Sequence, residues 1–100
     1  MRLVWSARAL DDRRAIYDYI EAEGPRAAVS VDECIEAAVQ LLTVFPQSGR
    51  PGRAEGTREL IVTGTPYVAP YQLFDEHVQI LRVLHGARIW PGTFDDNAST

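Results

Sequence analysis

From Ala28 to Phe45 the apolar positions Ala28, Val31, Ile35, Ala38, Leu42 and Phe45 follow one another at helical spacing. That spacing keeps returning to one face of a 3.6-residue repeat and predicts a long amphipathic helix. Val39 and Leu41 widen the stripe, Asp32, Glu33, Glu36 and Gln40 face water, and Pro46 ends it. A shorter helix precedes it, from Ala7 to about Ala22, with Ala9, Ile16, Tyr19 and Ile20 on its apolar side. Asp11, Asp12, Arg13, Arg14 and Asp18 fall on the wet side, and Ser6 is the expected N-cap. Gly24 stops this helix and Pro25 opens the next, so the short link Glu23-Gly24-Pro25 folds the two into an antiparallel hairpin.

Elsewhere the period changes to two. Arg2 to Trp5 reads as a short first strand, followed beyond Pro46 by Arg58 to Thr63, Tyr67 to Phe74 and His77 to His85. Gly64-Thr65-Pro66 and Asp75-Glu76 are the turns between them. Pro70 lies inside the second of these three strands and argues for an edge or a bulge there. On the last strand Val78, Ile80, Arg82 and Leu84 share one face, and Leu81, Val83 and His85 the other. The pattern predicts an α+β fold: a short N-terminal strand, an antiparallel two-helix hairpin, then a three-stranded antiparallel meander forming one small sheet. One sheet face packs on the hairpin and the other is open to a partner. Residues 1–91 form a single domain, and 92–100, without pattern and carrying Asp95 and Asp96, reads as a disordered tail.

Composition narrows the function classes. One hundred residues with a hydrophobic fraction of 46% suit one small core. Met1 to Trp5 is too short for a signal peptide, and no apolar run approaches the ~20 residues of a membrane helix, so the expected location is cytoplasmic, without membrane contact. The net charge of −4 argues against direct DNA binding by the chain alone. All ten basic residues are arginine. Residues 1–45 hold five of them against eight acids, whereas residues 46–91 hold five against four, which leaves the sheet region weakly basic.

The candidate binding residues lie in that region. Between Pro46 and Leu60 the chain threads Arg50, Arg53 and Arg58 through Gly49, Gly52 and Gly56. Arginine suits forked contacts with carboxylate or phosphate. Arg82, among alternating apolar residues of a strand, needs either a carboxylate or an open face. His85 and Arg88 follow at the strand exit, and Trp90 closes the ordered part of the chain. No metal-ligand spacing is present, no cofactor is implied, the glycines do not form a phosphate loop, and Cys34 sits in a helical pattern as a small apolar residue.

The order and spacing of several segments resemble the RelE/ParE superfamily of type II toxin–antitoxin toxins. They are Trp5-Ser6 with Ala9, Asp12, Ile16 and Tyr19-Ile20; Phe45-Pro46 with Gly49-Arg50; Gly56-Thr57-Arg58-Glu59-Leu60; Tyr67-Val68-Ala69-Pro70-Tyr71; and Arg82-Val83-Leu84-His85 with Arg88. RelE-type members are ribosome-dependent mRNA endonucleases. Their pattern implies an arginine where this chain has Val68, lysines where it has Glu59 and Ile61, and a tyrosine near Ile89 and Trp90. Without those charges a phosphoryl transition state loses its main stabilisation. The chain therefore resembles the ParE branch more closely. That resemblance implies a plasmid-stabilisation type of toxin that inhibits growth by binding DNA gyrase and is neutralised by a ParD-like antitoxin in a hetero-oligomeric complex. The antitoxin would bring an acidic, apolar segment that folds on the toxin. Arg50, Arg53, Arg58, Arg82, His85, Arg88 and Trp90 are the expected antitoxin- or target-binding residues. The alternative is an mRNA nuclease using Arg58, Arg82 and His85.

Overall fold

A computed structural model describes residues 1–88 and 90–91; the expected tail at 92–100 lies outside the described residues. Strand β1 (Arg2–Trp5) leads into helix α1 (Ala7–Glu21) and helix α2 (Pro25–Gln40). Strands β2 (Arg50–Pro51), β3 (Arg58–Ile61), β4 (Tyr67–Leu73), β5 (His77–Ile80) and β6 (Leu84–His85) follow. The sheet order is β1-β5-β4-β3-β2, with β6 paired to β4 beyond the end of β5. The meander β3-β4-β5 is antiparallel as the alternation implies. Two features add to it: β1 joins the outer edge of β5 in parallel, and Arg50–Pro51 extends the other edge.

Both helices cover one sheet face. Ala9 from α1, with Ala28, Ile35 and Val39 from α2, are fully buried, as is Leu42 in the 3-10 turn Leu41–Thr43. Tyr67, Ala69, Tyr71, Val78 and Ile80 meet this layer from the sheet. Phe45, expected to end the buried stripe, is 60% exposed, because α2 stops at Gln40 and the 3-10 turn rotates the chain before Pro46. The opposite sheet face carries Glu59, Ile61, Val68 and Pro70, which alternate with the core-facing residues of β3 and β4. Val68 and Pro70 are buried there, outside the core cluster that the helices cover.

Pro70 sits in the central strand, and the bulge it foreshadowed lies in its neighbour. Tyr71 pairs with Ile80, but Tyr67 pairs with His85, so one extra residue has entered the strand between β5 and β6. The Leu81 amide donates to the Pro70 carbonyl (2.9 Å). Proline has no amide to return the bond. The Leu81 carbonyl instead accepts the Ser6 hydroxyl (2.8 Å), while the same oxygen of Ser6 caps α1 by accepting the Ala9 amide (3.0 Å).

The bulge corrects two expectations. The last strand does not run unbroken from His77 to His85, and Arg82 does not occupy an open sheet face. Its guanidinium grips Asp12 on α1 through Nε (2.7 Å) and Nη2 (3.0 Å), and the Val83 amide donates to the same carboxylate (3.0 Å). Asp12, expected on the wet side, is thus a partly buried tie between α1 and the sheet. Arg13 is no simple wet residue either. It forks onto Asp32 of α2 (2.7 and 3.0 Å) and lies over the Trp5 ring, 5.0 Å from its centre.

Tyr71 fixes the start of the arginine loop. Its hydroxyl donates to the Pro46 carbonyl (2.8 Å) and accepts the Gly49 amide (2.9 Å). A Cβ at Gly49 would collide with the tyrosine ring, so the loop can pass only with glycine there. Removing the hydroxyl in Tyr71→Phe leaves two backbone groups without their partner and is predicted to lower unfolding free energy by about 1–3 kcal/mol in urea titration. A double-mutant cycle of Asp12→Ala and Arg82→Ala is predicted to give a coupling energy of about 1–3 kcal/mol, because both changes break one tie.

Candidate functional site

Three arginines come with the loop from Gly49 to Arg58, and the loop hangs on one carboxylate. The Glu59 side chain is 1% exposed. Its Oε1 accepts Nε (3.1 Å) and Nη2 (2.9 Å) of Arg50, and its Oε2 accepts the Arg53 amide (2.8 Å), with Arg53 Nε at 3.6 Å. The arrangement follows from the β2–β3 pairing, which sets Arg50 directly opposite Glu59. A buried carboxylate requires this degree of satisfaction. Arg58 turns the other way and donates to the carbonyls of Gly49 (2.6 Å) and Gln47 (3.2 Å). Gly52 donates its amide to the Thr57 carbonyl (2.8 Å) and leaves no room for a Cβ against Thr57.

The end of the chain closes over this loop. The Arg53 guanidinium stacks on Trp90, 3.6 Å from the ring centre, and Trp90 Nε1 donates to the His85 carbonyl (3.0 Å). Arg50, Arg53, Trp90 and His85 are therefore joined in one connected patch through Glu59. Arg58 borders it with its guanidinium turned to the loop carbonyls, and Arg82 stands apart, held by Asp12. Arg58, Arg82 and His85 thus each face different partners and form no shared cluster in this structure.

A second feature opens beside the helices. A groove of about 630 Å³ runs between α1 and the β4–β6 end of the sheet, floored by Ile16, Ile20, Val31, Val83 and Leu84. Tyr67, His85 and Arg88 line it as well. The edge of one ring meets the face of the other between Tyr67 and His85, with centres 5.8 Å apart. His85 Nδ1 accepts the Ala87 amide (3.2 Å). Burial pushes the Tyr67 hydroxyl pKa up, so it stays protonated at neutral pH; the nearby Arg88 charge acts in the opposite direction.

Sequence reasoning missed Glu59 and Tyr67 as organising residues. For Glu59 a signal was present, since it is an acid within a strand, next to the apolar Leu60 and preceded by three arginines. For Asp12 no local signal separates it from Asp11; its partner is 70 residues away. Among the described residues no group of three or more His, Cys, Asp or Glu could hold a metal ion, and no helix is long and apolar enough to cross a membrane.

Residues 3–90 match the family described as the ParE toxin of the type II toxin–antitoxin system parDE. The protein Y4kP of Sinorhizobium fredii is 43% identical over 90 residues, covering 90% of this chain and 93% of its own. Toxin RelE2 of Caulobacter vibrioides is 40% identical over 88 residues, covering 88% of this chain and 98% of its own. A solved structure of the chromosomal ParDE TA system from P. aeruginosa superimposes with a TM-score of 0.74 at 34% identity, covering 83% of this chain and 92% of that one. On both sequence and fold, the chain belongs to the ParE toxin family of type II toxin–antitoxin systems.

Proposed function

We propose that this toxin acts by binding a protein target, DNA gyrase, rather than by cutting RNA, and that a ParD-like antitoxin neutralises it in a hetero-oligomeric complex. One observation carries the reading: the charge state of the sheet face turned away from the helices. Where the RelE pattern places its cations, this face holds Glu59, Ile61 and Val68. The arginines nearest to it are Arg50 and Arg53, and both are held by Glu59. A nuclease must stabilise charge developing on a phosphoryl group with preorganised cations. Here a buried carboxylate lies where those cations would be needed, and the nearby guanidinium groups already neutralise it. A binding toxin has no such requirement, and Arg50 and Arg53, each about half exposed (48% and 49%), keep an outer side for a partner.

A second reading rests on a specific observation as well. Two relatives carry the name RelE: Toxin RelE2 and Toxin RelE1 of Caulobacter vibrioides, the latter 32% identical over 83 residues. In that reading the chain cleaves message on the ribosome, with His85 as its acid–base group.

The two readings separate on induction of the chain alone in a bacterium, with DNA and protein synthesis followed by pulse labelling. Gyrase inhibition is expected to stop DNA synthesis first and to raise DNA-damage signalling while translation continues. An immediate stop in translation, with message cut in codon register on programmed ribosomes and the cuts lost in His85→Ala, would reject the binding mechanism.

A further inference from the structure

Among the described residues Arg58 is the one arginine whose guanidinium is held by hydrogen bonds and neutralised by no acid. Arg13, Arg50, Arg53 and Arg82 are each paired with a carboxylate. Arg58 uses a single nitrogen, Nη1, for the carbonyls of Gly49 and Gln47. Its Nε and Nη2 make no bond to the protein. That is the same edge through which Arg13 grips Asp32 and Arg82 grips Asp12. The guanidinium also walls a pocket of about 250 Å³ together with Pro51, Thr57 and Leu73. The surrounding segment has no acid to spare: residues 41–58 hold three arginines against Glu55, and the next acid, Glu59, is taken by Arg50 and Arg53.

The turn that Arg58 ties down also exposes apolar side chains. Leu41, Val44 and Phe45 are 58%, 66% and 60% exposed. Scattered exposed hydrophobic residues need no explanation, but these three share a segment whose backbone is fixed. The Val44 and Phe45 amides donate to the Leu41 carbonyl (3.1 and 2.8 Å), and the Ser48 amide donates to the Phe45 carbonyl (3.1 Å). The Tyr71 hydroxyl holds the Pro46 carbonyl. Little conformational freedom is lost when such a surface is covered.

We infer that this corner, formed by Leu41, Val44, Phe45 and Arg58, docks the toxin's protein target, on a patch that sets one carboxylate among apolar side chains. The inference rests on the binding-toxin reading and names the surface that carries it. Charge and polarity together select the partner. A nucleic acid would leave the three apolar side chains in water and meet a single unopposed cation here, whereas capture of a polyanion draws on several. A purely apolar partner would cover Arg58 and leave a desolvated charge unanswered. A carboxylate bordered by apolar groups meets both demands. The corner is also separate from the groove beside α1. Leu41 follows the last turn of α2, while the groove reaches that helix at Val31, about 15 Å back along its axis.

The test compares Phe45→Ser and Arg58→Lys with a control, Val29→Ser, an apolar residue of α2 that is also exposed (46%). Growth inhibition is read on titrated induction, and affinities are measured for the gyrase holoenzyme and for the cognate antitoxin. Urea titration checks that each variant is folded. Phe45→Ser and Arg58→Lys are each expected to weaken growth inhibition and gyrase binding about tenfold, with antitoxin affinity at the wild-type value. Lysine keeps the charge of Arg58 but not its fork, so that loss separates a two-pronged contact from general attraction. Val29→Ser is expected to match the wild type. Wild-type growth inhibition in Phe45→Ser overturns the docking surface, whatever Arg58→Lys does to folding. A parallel fall in antitoxin affinity assigns the corner to the antitoxin, and a dimer of the isolated chain that Phe45→Ser disperses assigns it to a second copy; either overturns the inference. Message cleavage that Arg58→Lys abolishes and Phe45→Ser spares assigns the arginine to a phosphodiester and overturns it as well. If the unaltered chain does not bind gyrase, the gyrase reading fails, and growth inhibition in the same variants still decides whether the corner is the target surface.

Discussion

The middle of this protein depends on an amide hydrogen that proline does not have. β4 is the central strand, paired on both sides, and an ordinary residue at position 70 would exchange two ladder bonds with Leu81. With proline there, the Leu81 carbonyl turns to Ser6, and the chain bulges before pairing resumes at Leu84 and His85. Ser6 in turn caps α1, so the start of the first helix is set by a defect in the sheet. The bulge presents Arg82 and the Val83 amide together to Asp12, further along that helix. A single residue type thus bears on two ties between α1 and the sheet, at Ser6 and at Asp12.

Much of this could be read from the sequence, and what could not has a common physical cause. The stripe Ala28, Val31, Ile35, Ala38 and Leu42 is a local signal, because its partners in period lie three or four residues away. The hairpin link and the Ser6 cap are local in the same sense, whereas Pro70 signalled an edge or a bulge in its own strand and the bulge lies in the neighbouring one. Asp12 with Arg82, and Glu59 with Arg50 and Arg53, are not local. A carboxylate on a helix face looks solvated until the sheet is folded against it. Phe45 misled for the opposite reason: its spacing fits the stripe, but α2 had already given way to a tighter turn, and helical phase beyond Gln40 no longer applied.

The candidate site was legible in its residue types and less so in its grouping. The structure divides the expected arginines, His85 and Trp90 by partner: Arg50 and Arg53 go to Glu59, Arg58 to loop carbonyls and Arg82 to Asp12. Arg13, Arg50, Arg53, Arg58 and Arg82 make defined contacts to protein groups, which is how an acidic chain can carry ten arginines without a strongly basic surface. Counting basic residues in a segment overstates what an approaching anion would meet. The more useful quantity is the number of guanidinium groups left without an internal carboxylate, and by that measure Arg58 and Arg88 count among the described residues while Arg82 does not.

The two sides of the sheet then fall into different physical regimes. On the helix side the groove offers apolar area edged by Tyr67, His85 and Arg88, a combination that suits a partner able to fold against it. On the other side Glu59 offsets half of the charge of the two arginines above it, and Trp90 holds Arg53 in place by stacking. Such a patch is preorganised but weak as an electrostatic trap, since one buried negative charge already opposes two positive ones. It fits contact with a protein surface, where shape and half-exposed arginines contribute, better than capture of a polyanion, where uncompensated charge sets affinity. That difference in charge balance, more than the number of basic residues, is what supports the proposed binding mechanism.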